Sequence, residues 1–353
     1  MEKKKTKKPL WFRLLICAGA LGAVLLVFLL IEKGIDKSGA VEKAEAKQAE
    51  RMMKKNEGGE LDAVIVNAPE AEATEPAVES TGDAVAETES ELAFPTVTEE
   101  GSTDAEGNVT SIALTNPQLD VTAYDPTLVE WGSGGPTDAY GRPDGCTLYQ
   151  KKYGDLSAYF IMPWEEGEPK KVYLTFDIGY TNEYTVQILD TLKEKGVKGV
   201  FFATLPVVQE DKEICQRIIN EGHELGNHSV THTNIVAKSV EEQQKELMDV
   251  HNAAVENYGY VMHLWRYPEG KFSQQGLAVV NNCNYRSVFW SFAHRDWYVD
   301  NQPDVNETRT KVIDALHPGA IYLLHGISAT NAAVLGDLID AGIAQGYTFE
   351  LLQ

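Results

Sequence analysis

Two histidines four residues apart, His228 and His232, follow directly on Gly226-Asn227 at the end of a short apolar run. That spacing lets two imidazoles face one metal ion, although paired surface histidines are common enough to make it a weak signal alone. It gains weight from its company. Asp177 closes one apolar run, Arg266 another, Asp296 follows a third and His325 a fourth. A hydrolysis near neutral pH needs one group to take a proton and another to give one. Carboxylates, histidines and a metal-binding pair supply that chemistry if the fold brings them together.

The elements required to do so are legible from Lys170 onward, where short apolar runs alternate with amphipathic patterns. Strands are predicted at 172–176, 200–203, 223–226, 263–266, 287–291, 320–324 and 348–351, and helices at 184–195, 211–220, 239–257, 274–282, 307–316 and 332–344. Ser239 with Glu242 forms a capping box at the start of the third helix. Strand–helix alternation implies an α/β fold with a parallel sheet, open or closed into a barrel. All six chemistry-bearing residues then fall at the carboxyl ends of strands, where such folds build their sites. Of the other histidines, His223 and His263 are expected in the core, His251 in solvent, His317 in a turn, and His294 either lining the cleft or behind it. Residues 116–169, with Gly-Ser-Gly-Gly-Pro and Gly-Arg-Pro-Asp-Gly turns, read as an irregular lead-in cap.

Charge is segregated along the 353 residues. Residues 1–55 carry thirteen Lys and Arg against six Asp and Glu, whereas 56–141 carry nineteen acids and no base. The net charge of −22 leaves nothing to neutralise a row of phosphates, so nucleic acid is excluded as a partner. Residues 1–13 form a basic segment. The 18 uncharged residues from Leu14 to Ile31 would span about 27 Å as a helix, close to the hydrocarbon core of a bilayer. Five lysines and Arg13 precede this run, predicting a single-pass signal anchor with the N-terminus in the cytoplasm and the remainder outside the cell membrane. Residues 32–115 read as an acidic disordered linker, too poor in apolar residues to offset its ordering entropy. Beyond the apolar run only Cys146, Cys215 and Cys283 remain, which excludes a disulfide scaffold.

Five stretches resemble the polysaccharide deacetylase family, a carbohydrate esterase family, and most of all its peptidoglycan N-acetylmuramic acid branch from spore-forming bacteria. They are Thr175-Phe-Asp-Ile-Gly-Tyr180, Asn227-His-Ser-Val-Thr-His232, Arg266-Tyr-Pro-Glu-Gly270, Ala293-His-Arg-Asp-Trp297 and Ile321-Tyr-Leu-Leu-His325, in the family's order over 170–353. The resemblance implies a distorted (β/α) barrel of about seven parallel strands. It also implies hydrolysis of N-acetyl groups on the amino sugars of peptidoglycan glycan strands. Asp177 would be the base, His325 the acid, Arg266 the partner of Asp177 and Asp296 that of His325. His228 and His232 would hold a divalent metal, zinc foremost, with cobalt or nickel as alternatives. Tyr180, Pro268, Trp297 and Leu323 would contact substrate, Tyr180 through its backbone N–H.

One position departs from the family pattern. Where a second aspartate normally follows the base as third metal ligand, this chain has Ile178, which offers no lone pair and whose bulk is expected to occupy the ligand's place. Weak metal binding follows as an expectation. Three readings stand: a working N-deacetylase with water or Glu183 completing the shell, a catalytically impaired glycan-binding pseudoenzyme, and an esterase on O-acetylated glycans. The intact acid, base and partners favour the first.

Overall fold

The computed structural model describes residues 116–352. The expected basic segment 1–13, transmembrane helix 14–31 and acidic linker up to residue 115 lie outside the described residues, as does any anchoring by them. Among the described residues, no helix is long and apolar enough to cross a membrane.

In chain order the elements are β1 (Val129–Glu130), α1 (Asp144–Tyr153), β2 (Ala158–Tyr159), β3 (Lys170–Ile178), α2 (Glu183–Lys195), β4 (Gly199–Ala203), α3 (Leu205–Glu210), α4 (Lys212–Asn220) and β5 (Glu224–Asn227). There follow α5 (Val240–Tyr258), β6 (Leu264–Trp265), β7 (Lys271–Phe272), α6 (Gln274–Asn282), β8 (Arg286–Val288), β9 (Phe292–Ala293), α7 (Val305–Asp314), β10 (Ala320–His325), α8 (Ala329–Ala344) and β11 (Tyr347–Phe349). Local chemistry sets several of these boundaries. The Asn182 side chain accepts from the first turn of α2 while Thr185 answers in return, and Gly196 ends that helix in the left-handed region. The expected box at Ser239 and Glu242 opens α5 in the same way.

Nine strands form one parallel sheet in the order β2-β8-β6-β5-β4-β3-β10-β9, with β11 also on β3. All seven expected strands are in it. The ladder starts at β2 and ends at β9, so the sheet is curled but open rather than a closed barrel. β2 and β9, each two residues long, are the edges that the apolar pattern did not reveal. Along β3, Tyr173, Thr175 and Asp177 share one face and Leu174, Phe176 and Ile178 the other, as alternation requires. Tyr173 packs with Val200, Phe202, Leu264, Val288 and Ile321 beneath the carboxyl ends.

The lead-in is more regular than an irregular cap, because it supplies α1 and the edge strand β2. It also props the segment after Arg266. β1 pairs antiparallel with β7, Trp131 N–H donates to Gly270 O at 3.0 Å, and Trp131 Nε1–H donates to Trp290 O at 3.1 Å. Gly270 has φ +66°, and a Cβ there would lie 2.8 Å from the Trp290 ring, so both conformation and space call for glycine. Cys146, Cys215 and Cys283 are all buried and free. His223 and His263 are core residues as expected, and His317 sits buried beside Ser291 Oγ at 2.8 Å. His251 is not in solvent: it is buried on α5 with Nδ1 2.6 Å from the Tyr285 hydroxyl.

Candidate active site

Parallel pairing of β3 with β10 puts Asp177 and His325 opposite each other in register at the carboxyl end of the sheet. On the other side of β3, β4 is followed by β5 and β6, whose carboxyl ends carry His228 and Arg266. Four ends among five neighbouring strands therefore gather residues far apart in the chain, with no need for loop flexibility to bring them together.

Arg266 is fully buried, and each of its three guanidinium nitrogens donates a hydrogen bond: to Asp177 Oδ1 at 2.8 Å and to the carbonyls of Val288 (3.0 Å) and Phe289 (3.2 Å). It also lies over the Phe202 ring, 4.2 Å from the centroid. A buried cation is tolerated only when paired and hydrogen-bonded in this fashion. Burial acts to raise the Asp177 pKa, but Arg266 first, then His228 and His325, outweigh it and hold the carboxyl below its ordinary value. Asp177 is thus an ionised carboxylate whose second oxygen faces His228 Nε2 at 3.5 Å.

Asp296, fully buried, makes the complementary arrangement. Its Oδ1 is 2.7 Å from His325 Nδ1, and its Oδ2 accepts from the His325 backbone N–H at 2.8 Å and from Asn331 Nδ2. The hydrogen bond fixes the ring orientation and leaves Nε2 as the free nitrogen. Burial opposes a charge on His325, yet the Asp296 carboxylate, aided by Asp177, raises its pKa above the ordinary histidine value. One member of the pair Asp177 and His325 is kept ionised and basic, and the other is pushed toward its protonated, acidic form. That is the division of labour general acid–base catalysis requires.

His228 points its Nδ1 at Arg266 O, 3.0 Å away, which leaves Nε2 with a lone pair. His232 packs edge-on, 4.7 Å between ring centroids. Burial lowers both pKa values, that of His232 to about 4, so both rings are neutral and able to donate to a metal near pH 7. The two donors fit a divalent cation. Among the described residues no cluster of three His, Cys, Asp or Glu stands ready to hold one.

Ile178, the departure from the family pattern, is part of the packed core. Its side chain is fully buried, and strand alternation sets it with Phe176 rather than with Asp177. Its Cγ2 fills the space beside Gly326, where a Cβ would come within 2.5 Å. The residue adds no donor, and its bulk packs between the ends of β3 and β10.

The remaining expected residues fall around this centre. Trp297 lies beside His325, 5.7 Å between ring centroids, and Leu323 sits two residues below His325 on the same face of β10. Tyr180 is 41% exposed just past β3, whereas Pro268 is buried in the short turn Pro268–Gly270 after Arg266. His294 does not line the cleft: it is buried behind Asp296, with Nε2 2.9 Å from Asn331 Oδ1. Asn331 itself, which donates to both Asp296 and the His325 carbonyl, went unseen in the sequence. Its only signal is its place in the first turn of the helix that follows β10.

Comparison with known proteins places this geometry. Residues 165–288 match the polysaccharide deacetylase family. Over 182 residues the chain is 41% identical to the peptidoglycan-N-acetylmuramic acid deacetylase PdaA of Bacillus subtilis, covering 51% of this chain and 69% of that protein. The PdaA structure, a family 4 carbohydrate esterase, superposes with a TM-score of 0.60 at 34% identity over 64% of this chain and 96% of that one. A family 4 carbohydrate esterase from Bacillus anthracis gives 0.52 at 34% identity, covering 65% and 95%. The peptidoglycan-N-acetylglucosamine deacetylase PgdA of Listeria monocytogenes is 32% identical over 180 residues, 51% of this chain and 37% of that protein.

Proposed function

The chain belongs to the polysaccharide deacetylase family, hydrolases of the amide bonds of acetylated sugars, and on that premise we propose that it removes N-acetyl groups from peptidoglycan amino sugars outside the cell membrane, tethered by its N-terminal apolar run. The observation that carries the reading is the in-register placement of Asp177 and His325, each with its own buried partner. Relatives named for peptidoglycan substrates support the glycan, and the charge pattern of residues 1–31 supports the tether.

In this reading Asp177, kept ionised by Arg266, takes a proton from the attacking water as its oxygen adds to the acetyl carbonyl. The C–N bond then breaks, and His325 delivers its Nε2 proton to the departing amine while Asp296 stabilises and orients the imidazolium. The products are acetate and a free sugar amine. The backbone N–H of Tyr180 donates to the developing oxyanion. Trp297 and Leu323 bound the floor beside the leaving amine, and Pro268 shapes the opposite wall. Members of the family are generally metal-dependent. In this chain His228 and His232 would hold the ion, with zinc, cobalt or nickel all suited to two imidazoles and water. When bound it supplies Lewis acidity to the water and the acetyl oxygen. With Ile178 in place of a third donor, binding is expected to be weak.

The intact pairs argue against a pseudoenzyme that only binds glycan, since binding alone requires neither a buried Arg–Asp pair nor an Asp–His pair. The test is acetate release and new free amines on purified peptidoglycan treated with the full chain plus added zinc or cobalt. Asp177→Asn should abolish both, and release at the parent rate by that variant would refute the mechanism. Matched O-acetylated glycans in parallel separate an amidase from an esterase.

A further inference from the structure

The loop joining the two imidazoles runs against backbone preference. Ser229 and His232 both adopt left-handed conformations, with φ of 71° and 50°, a region that residues bearing a Cβ rarely occupy unless their surroundings impose it. The surroundings are identifiable, because every backbone N–H from His228 to His232 has a partner. His228 donates to Ala203 O at 2.9 Å, Ser229 to Asn227 Oδ1 at 3.1 Å, and His232 to Ser229 Oγ at 2.9 Å. The two between them, Val230 and Thr231, both donate to Glu246 Oε2, at 3.0 and 3.2 Å. The Thr231 hydroxyl adds a bond of 2.9 Å to the other oxygen, Oε1.

Glu246 lies on α5, remote from the motifs in sequence, and is only 6% exposed. Lys238 Nζ sits 3.2 Å from its Oε1, giving the buried charge a counterion. One residue further on, Leu247 O accepts from Asn227 Nδ2 at 2.8 Å, so α5 grips the strand end that enters the loop as well as the loop itself. A carboxylate cupped by consecutive backbone amides is a strong, directional fixture.

We propose that Glu246 is a positioning residue which locks residues 229–232 and thereby presents His228 and His232 together to a divalent metal ion. The inference rests on the metal-assisted reading above and deepens it. Glu246 acts through Val230 and Thr231, two of the three residues between the imidazoles. With no third protein donor after Asp177, the site depends on how well its two imidazoles are preorganised, so the fixture matters more than it would in a three-donor site. Loss of an outer partner of metal ligands typically weakens binding about 10–100-fold.

The test is zinc affinity of the metal-stripped full chain, measured by competition with a chromophoric chelator, alongside the melting temperature without metal. Glu246→Gln keeps the volume but leaves a single acceptor, so its amide nitrogen must face either the two backbone donors or Thr231 and Lys238. It should bind zinc about 10–100-fold more weakly while staying folded, with a melting temperature lowered by no more than several degrees for the buried donors left unpaired. Thr231→Val, which removes one bond of the three, should show a smaller loss in the same direction. Unchanged affinity in folded Glu246→Gln overturns the proposal. If that variant does not fold, unchanged affinity in Thr231→Val overturns it instead. A parent chain that binds zinc but releases no acetate would defeat the deacetylase reading and leave this one intact, whereas a parent that binds no zinc defeats this one.

Discussion

Asp296→Asn is the sharpest perturbation of the acid side, because the carboxylate serves three donors with two oxygens. Oδ2 receives the His325 backbone N–H and Asn331 Nδ2, and Oδ1 receives His325 Nδ1–H. A carboxamide retains one acceptor atom. If it keeps the doubly used position, its own N–H₂ points at His325 Nδ1 and forces a lone pair onto that nitrogen. The proton then sits on Nε2 of a neutral ring, a far weaker acid than an imidazolium. The charge that lifts the His325 pKa is lost at the same time, and burial, the largest opposing influence, is left to push it down. Positioned general acids contribute about 10²–10⁴-fold in rate, or roughly 2.7–5.5 kcal/mol of transition-state free energy at 1.36 kcal/mol per decade. The assay is the initial rate of acetate release from peptidoglycan across pH 5–9 at saturating metal, with circular dichroism to verify the fold. The variant should lose most of kcat, with its alkaline limb displaced to lower pH. A folded variant with parent kcat and an unmoved alkaline limb would refute the assignment of His325 as the acid.

Two further outcomes follow from the same geometry. Gly326→Ala sets a methyl 2.5 Å from Ile178 Cγ2, an overpacking expected to cost about 1–3 kcal/mol and to lower Tm by several degrees; Ile178→Ala in the same chain should restore part of it, and calorimetry that finds the single variant unshifted would disprove the contact. For pH, the Asp177 and Asp296 pKa values are depressed below 3.8, so the stability they supply is fully present above that value and is lost as pH falls through the depressed values. His325 is raised, so its contribution is present below its unfolded value of about 6.5 and is lost as pH rises through the folded one; urea midpoints rising steadily from pH 6 to 9 would contradict this.

How much of this was legible depends on whether a residue's signal lies in its own stretch of chain. Asp177, Arg266 and His325 end apolar runs, so their convergence follows once those runs are strands of one parallel sheet, which the alternation with helices indicates. The edges β2 and β9 were not legible, since two residues carry no period and their pairing with β8 and β10 is purely tertiary. The helix α1 starts after Pro143, contains Gly145 and buries little beyond Cys146 and Tyr153, so no apolar stripe announces it. His251, expected in solvent, was misjudged for a reason that applies to its neighbours on the same helix. Gln243, Glu246 and His251 of α5 are all buried, yet periodicity assigns polar residues to the wet face. Their buried partners, a loop carrying two left-handed residues and the Tyr285 hydroxyl, belong to other parts of the chain.

Ile178 shows why a substitution at a motif position is not decided by the lost group alone. As a ligand position it is empty of lone pairs, and from the sequence its bulk was expected to occupy the ligand's place. Strand parity turns it away from Asp177, and its Cγ2 settles into the space Gly326 leaves by lacking a Cβ. The Gly326 N–H donates to Asp177 O at 3.0 Å, and His325 directly precedes it. The isoleucine therefore packs the junction that fixes the spacing of base and acid. The metal-binding pair is supported elsewhere, by β5, α5 and the Glu246 carboxylate. The two supports meet at Arg266, whose guanidinium holds Asp177 and whose carbonyl holds His228 Nδ1, so the absent donor at 178 removes a lone pair while this shared fixture stays in place. The pairs of Asp177 with Arg266 and of His325 with Asp296 thus stand intact beside a two-histidine loop that is joined to them through Arg266.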